Sequence, residues 1–206
     1  MDKMIGGHEI SVLLSATSIR PEALERLHRR FEEDAAADGI LDVAYTTIDS
    51  PVGSLLLAAT ERGLVRVAFA VEDHDKVLGV LANKLSSRIL RAPKRLDGAA
   101  REIEEYFAGS RKNFEVVLDR SLSSGFRQLV QRHLPDIAYG HTETYSEVAR
   151  FVGSPRAVRA VGSACATNPI PIVVPCHRVL RSDGTLGGYA GGLAVKTTLL
   201  KLEGAA

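Results

Sequence analysis

A chain of 206 residues, 45% hydrophobic and 25% charged, can bury one large core or two small ones. No apolar run is long enough for a bilayer, Met1 to Ile10 lacks the basic start and apolar stretch of a signal peptide, and two cysteines make no disulfide framework. A cytoplasmic or nucleoid-associated protein is expected, and four zinc ligands at recognisable spacing are absent.

The net charge of +1 is unevenly spread: residues 120–206 carry ten Lys/Arg against five Asp/Glu, and residues 1–119 sixteen against twenty. A basic half beside an acidic one suits a nucleic-acid-facing domain, and equally a solvated charged face.

Three stretches follow from the patterning: an N-terminal helical extension (1–40), an α+β domain (41–119) and a C-terminal domain (120–206). In the first, Pro21-Glu22-Ala23-Leu24 opens a helix with Leu24, Leu27, His28 and Phe31 on one face. That face packs on the body or binds a partner. From Val43 the period changes to two. Strands are expected at Val43 to Ile48, Ser54 to Ala59 and Leu64 to Phe69, with turns at Ser50-Pro51-Val52-Gly53 and Glu61-Arg62-Gly63, forming a small antiparallel meander. Helices are expected at Asp73 to Leu85 and Leu96 to Ala108, the second ended by Gly109, with a strand at Phe114 to Leu118. Nothing in 41–119 gathers nucleophiles, acids and bases, so this part is read as support.

The last stretch is different. Phe126 to Leu134 reads as a helix with Phe126, Leu129, Val130 and Leu134 as its apolar face. Thr144-Tyr145-Ser146-Glu147 is a capping box opening a helix to about Val152. Gly153 ends it, and Ser154-Pro155 supplies the N-cap and first residue of another helix, to about Ala166. Two short helices so joined are a helix-turn-helix or a plain αα-hairpin. Arg156 and Arg159 lie three apart among Ala157, Ala160, Val161 and Ala164, which favours DNA: small residues allow close approach, and arginines contact phosphate or insert. Next comes the apolar run Ile170-Pro171-Ile172-Val173-Val174, leading through Pro175, which biases Val174 towards an extended shape, into Cys176-His177-Arg178. A thiol beside two potential cations can be held partly as thiolate, although most free cysteines are small buried hydrophobes. A glycine-rich loop, Gly187 to Gly192, surrounds Tyr189. Its glycines permit close approach to a ligand, and Tyr189 is a base-stacking ring or a filler. Lys196 is not placed for a phosphate-binding Walker loop. A final helix, Leu193 to Leu202, carries Glu203.

The co-occurrence of Asn168-Pro169, Pro175-Cys176-His177-Arg178-Val179, Gly188-Tyr189, Gly191-Gly192-Leu193-Ala194 and Glu203 behind a helix-turn-helix closely resembles the O6-alkylguanine-DNA alkyltransferases (methylated-DNA–protein-cysteine methyltransferases). The match in motif order and spacing covers about residues 140–204, and 41–119 resembles the family's N-terminal domain more loosely. The implied fold is α+β: a small antiparallel-sheet α/β domain and a helical, winged-helix-like catalytic domain. The resemblance implies that Cys176 accepts the alkyl group, His177 acts through a water as base, Glu203 orients His177, and Tyr145 donates to guanine N3. Arg159 takes the place of a flipped nucleotide, with Ser154, Arg156, Ala157, Ala160 and Gly162 as further DNA contacts in the minor groove. Asn168 ties the helix-turn-helix to the active-site segment. The Cys176 and Val179 carbonyls receive the guanine amine, and Pro171, Tyr189, Ala190, Gly191 and Cys165 form or support the pocket. The implied partner is double-stranded DNA carrying alkylated guanine, with O4-alkylthymine as a further substrate. Neither metal nor cofactor is implied, and the protein is expected to act as a monomer that can assemble cooperatively on DNA.

Two residues depart from the family pattern: Ala190 stands where many relatives have serine, and Cys165 at a usually apolar or small position. The zinc ligands found near the N-terminus of some relatives are not seen, and the resemblance gives residues 1–40 no role. The competing readings are an alkylation-sensing DNA-binding regulator and a Cys-His hydrolase. The latter needs a distant histidine, and none of His8, His28, His74, His133 or His141 sits in a supporting motif.

Overall fold

The computed structural model describes residues 41–205 and, within the first forty, residues 20, 22–27, 30 and 34. The first forty residues and residues 41–206 are separate compact units. Residues 22–27 are helical, but Leu24 and Leu27, half of the expected packing face, are each 58% exposed. His28 and Phe31 lie outside the described residues.

The larger unit opens with β1 (Val43–Ile48), β2 (Leu55–Thr60) and β3 (Gly63–Phe69), each antiparallel to the next, as the period-two pattern requires. After α1 (His74–Lys84) comes β4 (Ile89–Arg91), too short to mark itself in the sequence, which pairs parallel to β1. The sheet is therefore mixed rather than an antiparallel meander, in the order β3-β2-β1-β4. The expected strand at 114–118 is reduced to one parallel bridge, Leu64 to Leu118. Its backbone finds another partner: the Glu102 carboxylate, on α2 (Asp97–Phe107), accepts the Glu115 and Val116 amides at 2.8 and 3.3 Å. One face of the sheet buries Val43, Leu56, Ala58, Val65 and Ala68 against Val77 and Leu81 of α1.

The rest is helical. In α3 (Gly125–His133), Val130 is buried but Leu129 is 49% exposed, because the inward face instead carries Gln131, whose side chain donates to the Ala164 carbonyl at 2.9 Å. The two-residue strand β5 (Glu143–Thr144) pairs with β6 (Val179–Leu180) and leads into α4 (Tyr145–Phe151), whose capping box closes as expected. The helix expected from Pro155 begins at Val158 (α5, Val158–Ala166). Ser154 is not its N-cap: the Ser154 carbonyl takes the Ala157 amide at 2.8 Å in a tight turn, and helical bonding starts with the Val161 amide on the Ala157 carbonyl. α6 (Leu193–Leu202) closes the fold. Among the described residues no helix is long and apolar enough to cross a membrane.

β3 is an edge strand, and its free edge holds the helical half. The Val67 amide and the Arg66 guanidinium both donate to the Pro169 carbonyl, at 2.9 and 3.2 Å, just ahead of the cysteine segment.

Candidate active site

The segment before the cysteine is a chain of turns rather than an extended run. Ile172 has φ +74, a left-handed conformation costly for a β-branched residue. The Val174 amide bonds back to the Ile170 carbonyl at 2.8 Å. Pro175, at φ −81 and ψ 63, makes an inverse γ-turn closed by the Cys176 amide on the Val174 carbonyl. Asn168 clamps this shape: its amide nitrogen donates to the Val174 carbonyl at 2.7 Å and to Cys176 Sγ at 3.2 Å, while its oxygen accepts the Ile170 amide at 3.1 Å.

Cys176 opens a single 3-10 turn ending at Arg178 and is 4% exposed. Neither His177 nor Arg178 faces the sulfur; both turn to Glu203, at the end of α6. His177 Nε2 lies 2.9 Å from Glu203 Oε1, and Arg178 donates through its Nε at 2.8 Å to Oε2 and a terminal nitrogen at 3.0 Å to Oε1. Arg178 also donates to the Ile137 carbonyl, which settles its place as a buried structural ion pair. The expected support of a thiolate by two adjacent cations is thus corrected. Burial pushes the Cys176 thiol up to about 11, against the smaller lowering effects of the Asn168 bond and the Lys196 charge.

Glu203 is ionised. Burial raises its carboxyl, but hydrogen bonds from His177, Arg178 and Tyr106 outweigh it and hold the group at about 2. Burial lowers His177, and the Arg178 and Lys196 charges add to that against the opposing pull of Glu203, so the imidazole is neutral. An ionised carboxylate at Nε2 places the proton there and leaves Nδ1 as a lone pair, buried and with no protein partner.

Tyr145, first residue of α4, is pushed up to about 12 by burial and by Cys165 and Cys176, so its phenol is a proton donor at neutral pH. The glycine loop lies directly on it: a Cβ on Gly187 would meet the Tyr145 hydroxyl at 2.1 Å. Tyr189 packs edge-on to Phe69 and His177, and Gly191 lies flat against the Phe69 ring, where a Cβ would meet it at 3.0 Å. Ala190 is half-buried and lines a groove with Asn168 and Pro169, whereas Pro171 is buried. The Val179 carbonyl accepts Lys196 Nζ at 2.6 Å, and the Cys176 carbonyl accepts the Val179 amide, so each has one lone pair left. Cys165 is buried on α5, and burial raises its thiol far above the ordinary value, which makes it inert packing. On the outer face of α5 and in the turn that leads into it, Arg156, Arg159 and Ala160 are exposed, with Ser154, Ala157 and Gly162 half-buried beside them.

Three contributors were not singled out from the sequence. Tyr106, from the half read as support, donates to Glu203 Oε1 at 2.7 Å. Lys196 is fully buried. Phe69 shapes the wall under Gly191. None of the three carried a local signal, whereas Gly187 belongs to the glycine loop already expected to form the wall.

Residues 43–120 match the family model for the ribonuclease-like domain of 6-O-methylguanine DNA methyltransferase, and residues 125–205 match the model for its DNA-binding domain. A methylated-DNA–protein-cysteine methyltransferase of Methanosarcina barkeri is 43% identical over 159 residues, 77% of this chain and 96% of that protein. The constitutive enzyme of Bacillus subtilis is 38% identical over 77% of this chain and 94% of that protein. The structure of Mycobacterium tuberculosis OGT in complex with DNA covers 79% of this chain and 93% of that one, at 39% identity and a TM-score of 0.69. Fold and site define an α+β methyltransferase with a cysteine at its centre. The chain belongs to the 6-O-methylguanine DNA methyltransferase family.

Proposed function

We propose that this protein repairs DNA by direct reversal, taking the alkyl group from O6 of guanine onto Cys176 in a single, irreversible transfer. One observation carries the reading: a buried thiol held by Asn168 is followed, in the same 3-10 turn, by a neutral imidazole whose Nε2 is fixed by an ionised carboxylate. The thiol gives its proton through a water to His177 Nδ1, since adjacent side chains in a 3-10 turn diverge too far for direct contact. The sulfur attacks the alkyl carbon, an S–C bond forms and the C–O6 bond breaks. The electron pair goes to the guanine, which takes a proton from the Tyr145 phenol at N3. The proton on His177 restores the phenol, so the balance closes without oxidant, reductant or cofactor. The product is a thioether with no route back to the thiol, which makes Cys176 a single-use acceptor.

The reacting carbon is buried in stacked duplex, so the nucleotide is turned out of the helix. α5 serves this by lying in the minor groove, its small residues allowing close approach and Arg159 filling the gap. The Val179 and Cys176 carbonyls receive the guanine amine on their remaining lone pairs. With Ala190 in the loop, only a backbone amide is available to O6, and O4-alkylthymine is accepted as a second, poorer substrate.

The test is the intact mass of the protein after incubation with a duplex carrying one O6-methylguanine. One added methyl is expected, on Cys176, at no more than one per protein, and none in Cys176→Ser. Turnover beyond one equivalent, or a label elsewhere, overturns the proposal; a DNA-binding sensor would bind the lesion and gain no mass.

A further inference from the structure

The carboxylate behind His177 is held from both halves of the molecule. Glu203 Oε1 faces three groups: His177 Nε2 at 2.9 Å, an Arg178 nitrogen at 3.0 Å and the Tyr106 hydroxyl, its shortest contact, at 2.7 Å. Oε2 takes Arg178 Nε at 2.8 Å and, more loosely, the Gly140 amide at 3.5 Å. Tyr106 lies on α2, wholly buried, with its ring fixed by Phe107, Phe114 and Tyr139 at centroid distances of 5.4, 5.4 and 6.2 Å. A phenylalanine would fill the same space. The hydroxyl is tolerable there only because it has an acceptor, and of the acceptors in the core it meets the one carboxylate that serves the imidazole.

We propose that Tyr106 is a positioning residue of the alkyl-acceptor site: it fixes Glu203 Oε1 and draws off part of its charge, so that His177 stays a neutral base. The inference rests on His177 being the base in the proposed transfer. Its physical content is a competition. The carboxylate stabilises a proton on His177 in proportion to the charge it presents at Oε1, and each further donor there lowers that share. Arg178 does this with a full positive charge and Tyr106 with a neutral hydrogen bond, which takes charge from Oε1 without adding a like charge beside the imidazole. The other titratable or charged groups facing the pair are Tyr139, Cys176, Tyr189 and Lys196. None of these donates a hydrogen bond to Glu203.

The experiment is the rate of methyl transfer to Cys176 from a short duplex with one O6-methylguanine, by quenched-flow mass measurement from pH 5 to 9, in the full chain and in Tyr106→Phe. Losing the hydroxyl returns negative charge to Glu203 Oε1 and raises the proton affinity of His177, so the acid limb of the profile is expected to move up by about half to one pH unit. A merely structural tyrosine would lower stability and leave the limb in place, and coincident profiles overturn the inference. Should Tyr106→Phe fail to fold, the wild-type phenol is read by NMR in protein labelled at tyrosine Cζ. A slowly exchanging hydroxyl proton on Tyr106 supports the bond, and one exchanging at the solvent rate overturns it. The two proposals fail separately: a wild type that gains no methyl on Cys176 removes the repair reading, whereas a methylated wild type with an unmoved variant profile removes only the role of Tyr106.

Discussion

Three buried side chains hold the cysteine segment: Asn168 bonds the sulfur, and Glu203 and Arg178 anchor the turn that follows it. Asn168 makes all three of its bonds within the cysteine segment. Asn168→Ala leaves buried backbone groups unpaired, and a loss of about 2–4 kcal/mol in urea denaturation is expected, with slower methylation at neutral pH because the thiol loses a bond that lowers its proton affinity. Glu203→Gln leaves the Arg178 charge buried without a counter-charge and should cost about 3 kcal/mol or more. The pH dependence has a definite sign. Glu203 and His177 are both depressed in the native state, from ordinary values of 4.5 and 6.5. Their contributions are therefore complete above about pH 6.5. The His177 share is lost as pH falls below that, and the Glu203 share as pH falls through 4.5 towards about 2. Acid unfolding of Glu203→Gln should show a flatter dependence below pH 4.5; a curve parallel to wild type would contradict the ion network. Cys176, His177, Asn168 and Glu203 were legible because they sit in short motifs. Tyr106 was not: nothing local marks a core hydroxyl whose acceptor is 97 positions away.

Among the elements, α5 carries the clearest expectation. Its inner side is Val161, Ala164 and Cys165, and its outer side is arginine and alanine, so its polarity is set by what it buries. Arg159→Ala should weaken transfer from duplex DNA by tenfold or more while barely changing the reaction with free O6-alkylguanine base. Equal losses on the two substrates would remove the arginine from the duplex. Gly187→Ala asks a different question of the glycine loop. Its Cβ has no room beside the Tyr145 hydroxyl, so transfer should fall much further than thermal stability does. Element types were readable from period and caps wherever the pattern ran for six residues or more. The failures were the Ser154 cap, the run before Cys176 that folds into turns, and short or borrowed pieces: three-residue β4, set by its pairing with β1, and residues 114–118, whose Glu115 and Val116 amides are taken by the Glu102 side chain.

Across the molecule, the sheet fixes the site through an edge. β3 bonds to Pro169 at one end and to the 117–119 segment at the other, where the Leu64 amide meets the Val117 carbonyl at 2.8 Å. Gly63 makes that second approach possible, having φ +128 and its Cα turned onto Val117. Gly63→Ala combines a disfavoured φ with a Cβ 2.2 Å from the Val117 oxygen, and a destabilisation of about 2–4 kcal/mol by thermal or urea unfolding is expected. The division into a sheet-bearing half and a helical half could be read from the change of period and charge, but the hold of one half on the chemistry of the other could not.

The burial of Cys176 has one more consequence. A cell is full of small electrophiles and oxidants, from peroxides to glutathione disulfide, and they react with exposed thiolates. A sulfur 4% exposed and still protonated at neutral pH is almost invisible to them. For the single-use acceptor proposed above, such selectivity would be a form of storage: the thiol would age slowly while it waits for the lesion that fits the site.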